Sequence, residues 1–235
     1  MIFNLDNVND VIKTENLNLL IISYGGCASN TFIDTLEQNN YNIRTKTYND
    51  ILCHCPYYIE THIPIIYIYD NPIKSFISMK NRGNGIWDVN QKKMSNNNDT
   101  DLSDENLLKL MINQFNSWTN IRSDNVLIIK SFELFENSIV DKLENFLKKK
   151  LYHFPILYNK PKTNIENDEN INKYSKLFKK YKLEIDKINN FPNNSNKKDI
   201  KLSFPLFTNI VNKNSKPIIN TRKRFKIIFC NNKLN

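Results

Sequence analysis

Apolar residues recur along this chain with two distinct periods. Leu17 to Ile22 is an apolar run broken only by Asn18; it ends in Ser23-Tyr24-Gly25-Gly26, after which Phe32, Ile33 and Leu36 recur at helical spacing. That pattern predicts strand, tight loop, helix. Ile65 to Tyr69 is an apolar, β-branched and aromatic run typical of a strand buried on both faces. Pro72 suits the first turn of a following helix whose packing face is Ile73, Phe76 and Ile77. Ser103 reads as an N-cap ahead of Asp104 and Glu105, and Leu107, Leu108, Met111, Ile112, Phe115 and Trp118 give a strong helical face. Val126 to Lys130 is another strand, and Ile139, Val140, Leu143, Phe146 and Leu147 form one helix face. Ile171, Tyr174, Phe178, Tyr181, Ile185 and Ile188, spaced alternately three and four apart, predict one amphipathic helix. Between these, Asn42 to Thr47 alternates weakly as a second strand, Cys53 to Pro56 reads as a connector, and the polar stretch Gln91 to Asp104 as a mobile surface loop. Strands alternating with helices predict an α/β fold, a three-layer αβα arrangement with a central parallel sheet and its ligand crevice at the carboxyl ends of the strands.

Composition sets the boundaries of that fold. With 235 residues, 40% of them hydrophobic, the chain is long enough to bury a core as one domain. We assign residues 1–192 to it and 193–235 to a basic, Asn- and Lys-rich C-terminal segment, packed on the same domain or appended to it. The net charge of +9 favours anionic ligands without naming one. No nucleic-acid-binding motif or basic and aromatic repeat accompanies it, which argues against a nucleic acid partner. Four irregularly spaced cysteines (Cys27, Cys53, Cys55, Cys230) make no disulfide framework, so reduced thiols and an intracellular, soluble protein are expected. The first sixteen residues lack the layout of a leader, and no apolar run approaches the ~20 residues that span a bilayer.

The loop between the first strand and helix is the strongest chemical signal. Free backbone N–H groups and the positive end of the helix dipole converge there, and glycines permit close approach of a phosphate or sulfate. Tyr24, Gly25, Gly26, Cys27, Ala28, Ser29, Asn30 and Thr31 are the candidate anion-binding residues. The Gly-Lys-Ser/Thr ending of a nucleotide-hydrolysing loop is absent, which argues against ATP or GTP hydrolysis and against a kinase-like phosphotransferase. Cys27 at a helix N-terminus invites a phosphatase reading, but the position of the phosphate-gripping Arg is Ile33. On the next helix Lys74, Ser78 and Arg82 fall at i, i+4 and i+8, two cations flanking a hydroxyl along one stripe. Cys53, Cys55 and His62 lack the paired Cys spacing of a zinc site, and no metal is expected.

In this order the segments resemble the sulfotransferase family that uses 3'-phosphoadenosine 5'-phosphosulfate (PAPS). The family's Tyr-Pro-Lys-Ser-Gly-Thr-Thr block, which binds the 5'-phosphosulfate, resembles Tyr24 to Asn30. Its Lys-Thr-His block followed by an apolar residue and Pro resembles Glu60-Thr61-His62-Ile63-Pro64, which implies that His62 is the catalytic base. Its apolar strand running into Arg-Asn-Pro and a Ser-bearing helix resembles Ile66 to Pro72 with Ser78, where the family holds the 3'-phosphate. The late Tyr-Glu-Asp-Leu block resembles Ser131 to Leu134, with Ser131 in place of Tyr. Each departure in the first three blocks removes positive charge: Gly26, Glu60 and Asp70 stand where the family has Lys, Lys and Arg. Losing three charge-assisted hydrogen bonds without replacement removes at least ~4.5 kcal/mol, roughly three orders of magnitude in affinity. Lys74 and Arg82 are the compensators expected for the 3'-phosphate, Arg222 and Lys223 further carriers in the tail, and the 5' side has no cation candidate.

The resemblance implies a P-loop sulfotransferase-like protein that moves a sulfuryl group from PAPS, its co-substrate, to a hydroxyl or amine of unknown identity. The alternative is a catalytically degenerate member that binds a nucleotide or sulfated ligand without transfer.

Overall fold

The buried runs do form strands, and the strands pair in parallel. In the computed structural model, which describes residues 7–46, 51–82, 85–121, 123–152 and 169–192, β1 (Leu20–Ser23), β2 (Ile65–Tyr69) and β3 (Val126–Lys130) make a sheet of order β1-β2-β3. Leu20 lies beside Ile65 and Ser23 beside Ile68, while Ile65 lies beside Val126. All residues of β1 and β2 are buried, as strands covered on both faces require, whereas β3 keeps Val126, Leu127 and Lys130 half-buried.

Helices flank this sheet: α1 (Val8–Thr14), α2 (Ser29–Glu37), α3 (Pro72–Lys80), α4 (Ile86–Ser95), α5 (Asp104–Thr119), α6 (Ser138–Leu147), α7 (Glu169–Lys180) and α8 (Lys182–Asn189). A 3₁₀ turn (Ile51–His54) precedes β2 and packs against β1. Helix α5 lies on β2, with Trp118 stacked on Tyr67 at 5.7 Å and Phe115 edge-on to Tyr69 at 5.1 Å. The whole apolar face expected of α5 is buried, and the Ser103 hydroxyl caps it by accepting the Asn106 N–H at 3.2 Å. Asn71 caps α3 in the same way, accepting the N–H groups of Ile73 and Lys74 at 2.8 and 3.2 Å, with Pro72 at the first helical position.

Three expectations change. The stretch Asn42 to Lys46 joins no ladder; Tyr41, Ile43 and Thr45 are buried in alternation, but Asn42 bonds to Asn18 ahead of β1, and Thr47 lies outside the described residues. The first five residues of the loop expected from Gln91 to Asp104 are helix, since α4 runs to Ser95 and buries Asn90, Gln91 and Met94. The single amphipathic helix is two, α7 and α8, parted at Tyr181 (φ −108°, ψ 23°). Helix α7 docks on α3 through Phe76, whose ring meets Tyr174 at 4.9 Å and Phe178 at 5.5 Å. Nearby, Lys80 Nζ lies 2.6 Å from Asp104 and 3.6 Å from the centre of the Trp87 ring.

The segment 193–235, with Arg222, Lys223 and Cys230, lies outside the described residues. Among those described, no helix is long and apolar enough to cross a membrane.

Candidate functional site

The loop after β1 is held by its own side chains and by three left-handed residues. Gly25, Gly26 and Ala28 have φ of 97°, 71° and 61°. Ser23 Oγ accepts the Gly25 N–H at 3.3 Å and donates to Ser29 Oγ at 3.2 Å, tying the end of β1 to the start of α2. The fully buried Tyr24 spans to the end of β2: its hydroxyl accepts the Asp70 N–H at 2.8 Å and donates to the Asp70 carbonyl. Burial pushes the Tyr24 phenol well above its ordinary pKa, so it stays a neutral strut. Cys27 is likewise fully buried, its Sγ 3.1 Å from the Gly25 carbonyl and 3.6 Å from Ser75 Oγ.

The glycines answer to α3 and α4. A Cβ on Gly26 would stand 2.8 and 2.9 Å from the Ser75 carbonyl oxygen and Cα, and one on Gly25 would stand 2.7 Å from Asn90 Nδ2 and 3.0 Å from Met79 Sδ. Their freedom is used to seat two helices closely over the loop. What remains open is the start of α2. Ala28 in the left-handed region offers no side-chain cap, the first turn carries no acid, and Ala28, Ser29 and Thr31 are half-buried with Asn30 exposed. The first-turn N–H groups therefore present the helix dipole outward without a side-chain anion to neutralise it.

His54 lies against this loop. Its Nδ1–H donates to the Ser23 carbonyl at 2.7 Å, which leaves Nε2 with the lone pair of a neutral imidazole, and its Cε1 is 3.7 Å from the Cβ position of Gly25. Burial of the ring, with Lys93 and Arg82 adding to it, lowers the pKa to about 4 against the opposing pull of the Ser23 bond. His54 falls in the stretch Cys53 to Pro56, which by its sequence reads as a connector. The available signal was a His two residues before a Pro, which says nothing without the contact to β1.

The other predicted residues divide. His62 is exposed and sits ahead of β2, at the opposite end of the sheet from the loop. Because Ser23 pairs with Ile68, Tyr24 is level with Tyr69, and the length of β2 separates it from the Thr61 to Pro64 turn. Asn125 Nδ2 pins its neighbours by donating to the carbonyls of Thr61 and Ile63 at 3.0 and 2.6 Å. His62, which the resemblance implies is the catalytic base, thus lies at the other end of the sheet from the loop, in the Thr61 to Pro64 turn that feeds β2. On α3, Lys74 is exposed and Ser78 half-buried, while Arg82 lies beyond the C-cap Asn81, its N–H on the Met79 carbonyl at 3.1 Å. The N-terminus of α3 is already closed by Asn71. Asp70 is buried, taking the Ser131 hydroxyl at 2.5 Å and the Asn71 N–H at 2.7 Å, and so joins the ends of β2 and β3. Burial pushes the Cys55 thiol up to about 12.

No protein-family model matches the chain, and neither the curated proteins nor the solved structures contain a significant match. What the site does is read from its own residues.

Proposed function

We propose that this chain is a sulfotransferase-like protein that binds the 5'-phosphosulfate of PAPS at the N-terminus of α2 and transfers the sulfuryl group to a hydroxyl or amine. The observation that carries this reading is the uncapped first turn of α2, at the carboxyl end of β1 and beside a neutral imidazole. In this reading the nucleotide's phosphate oxygens accept N–H bonds from residues 29 to 31, and the base is His54 rather than His62. Nδ1 is fixed on Ser23, so Nε2 is the atom that takes the acceptor's proton as the sulfuryl group arrives. A pKa of about 4 is low for that task, and the bound dianion raises it by favouring the imidazolium, which brings the base toward neutral pH only when the donor is in place.

A second reading, binding without transfer, draws support from the distance of His62 and from Asp70, which puts a carboxylate where the family carries a cation. One experiment separates them. Labelled sulfate transfer from PAPS to a panel of sugar, phenol and peptide acceptors is compared for the parent, His54→Ala and His62→Ala, alongside calorimetric titration with adenosine 3',5'-bisphosphate. Transfer falling ~10²- to 10⁴-fold in His54→Ala alone supports the enzyme. Nucleotide binding with no transfer to any acceptor supports the binder, and a parent that does not bind adenosine 3',5'-bisphosphate refutes both.

A further inference from the structure

Gly25 is covered by α3 and α4, and its N–H is spent inside the loop, donating to Ser23 Oγ at 3.3 Å. An N–H can only donate, so Ser23 must send its own hydroxyl proton elsewhere, and at 1% exposure it has no water to give it to. The acceptor in reach is Ser29 Oγ at 3.2 Å. That fixes the direction of the chain: the Gly25 N–H points to Ser23, the Ser23 O–H to Ser29, and the Ser29 proton outward. Ser29 is half-buried in the open first turn of α2, and its hydroxyl has no other partner among the described residues. Through its carbonyl the same Ser23 accepts the Nδ1–H of His54 at 2.7 Å.

We propose that Ser23 is a positioning residue for the anion site: its hydroxyl orients the Ser29 hydroxyl as a donor to a ligand oxyanion, while its carbonyl holds His54 with the proton on Nδ1. The inference rests on the anion-site reading above. A serine hydroxyl left to itself rotates among staggered positions and accepts as readily as it donates. Ser29 has that choice narrowed, because its oxygen already accepts from Ser23, and it meets an anion as a donor without reorganising. Hydroxyls in line also polarise one another, which strengthens the last donor of the chain. The two duties use different atoms of Ser23, so removing its hydroxyl weakens the grip on the anion and leaves the imidazole as it is.

The test titrates the parent, Ser29→Ala, Ser29→Thr, Ser23→Ala and the Ser23→Ala, Ser29→Ala double variant with inorganic pyrophosphate and adenosine 5'-phosphosulfate. Circular dichroism confirms folding, and nuclear magnetic resonance of the His54 ring nitrogens reports its tautomer. Ser29→Ala is expected to weaken both ligands by about 10- to 100-fold, and Ser29→Thr, which restores a hydroxyl, to recover most of that loss. Ser23→Ala should weaken them by about threefold to tenfold with His54 still protonated at Nδ1. The double variant should bind no more weakly than Ser29→Ala, because Ser23 acts through Ser29. Should Ser23→Ala not fold, the near-isosteric Ser23→Cys carries the same cycle, its thiol being a weak donor. Losses that multiply in the double variant, or a His54 tautomer that changes with the Ser23 hydroxyl, overturn the inference. So does a parent that binds both ligands no better than Ser29→Ala, and in each of these cases the anion-site reading stands. A parent that binds neither ligand overturns both.

Discussion

Gly26 is the residue at which the loop has least freedom. Its φ of 71° lies in the left-handed region, and a methyl group there meets the backbone of Ser75, which cannot rotate away as a side chain can. Gly26→Ala is expected to cost at least ~2 kcal/mol in a urea titration, the left-handed penalty plus the displacement of α3. Gly85, with φ 92° and nothing within 4 Å of its Cβ position, isolates the first of these terms. Gly85→Ala should cost only ~1 kcal/mol, and equal losses at the two sites would show that α3 yields at no cost. The same residue-level view explains what the sequence hid. Gly25 and Gly26 announced an unusual loop, but whether a glycine makes room for a ligand or for a helix depends on which element lies over it. His54 and Asn90 are separated by thirty-five other residues, and only the close seating of α4 on the loop brings both to Gly25.

At the scale of elements, helix N-termini distinguish structure from site. α5 and α3 close theirs with Ser103 and Asn71, and Ser103→Ala should cost about 1 kcal/mol by leaving the Asn106 N–H unpaired. α2 has no such cap, so an acid introduced there should have effects of opposite sign on stability and binding. Asn30→Asp places a carboxylate in the exposed first turn, where it should raise stability by ~0.3 to 1 kcal/mol and weaken pyrophosphate about tenfold or more. A loss of binding together with a loss of stability would instead mean damage to the helix. Elements driven by apolar pattern were legible: β2, β3 and α5 appear where Ile65 to Tyr69, Val126 to Lys130 and the Leu107 to Trp118 face put them. α4 was not, because its buried positions include Asn90 and Gln91, residues whose polarity reads as loop. The break at Tyr181 was hidden for the reverse reason, since Ile185 and Ile188 keep the helical phase across it and Tyr181 itself bonds to Glu105 at 2.8 Å. The Thr61 to Pro64 motif resembles a catalytic block in letters, and its place before β2, at the end of the sheet away from the Tyr24 loop, is carried by strand direction and not by composition.

At the scale of the whole molecule, His54 couples the site to global stability. Its folded pKa of about 4 is below the ordinary 6.5, chiefly because the ring is buried, with the charges of Lys93 and Arg82 adding to that and the bond to Ser23 opposing it. Above pH 6.5 the imidazole is neutral in both folded and unfolded chains and pH has no leverage through it. Between 6.5 and 4 the unfolded chain takes up a proton that the folded chain refuses, so stability falls as pH falls, and below 4 the loss levels off. The full shift corresponds to up to ~3 kcal/mol, an upper bound because the residue retains partial exposure. Glu105 acts in a different window: its bonds to Lys180, Tyr181 and Lys109 hold its carboxyl down to about 2, so the link from α5 to α7 and α8 is kept until the pH drops below the ordinary carboxylate value near 4.5. Urea midpoints at pH 7.5, 6.0 and 5.0, all above the Glu105 window, should therefore decline for the parent and stay nearly level over that range for His54→Gln. Pyrophosphate at saturation should flatten the parent's curve as well, because a bound anion beside His54 favours its protonation and removes part of the penalty. A parent curve that declines as steeply with pyrophosphate as without it would mean that the anion does not sit beside His54.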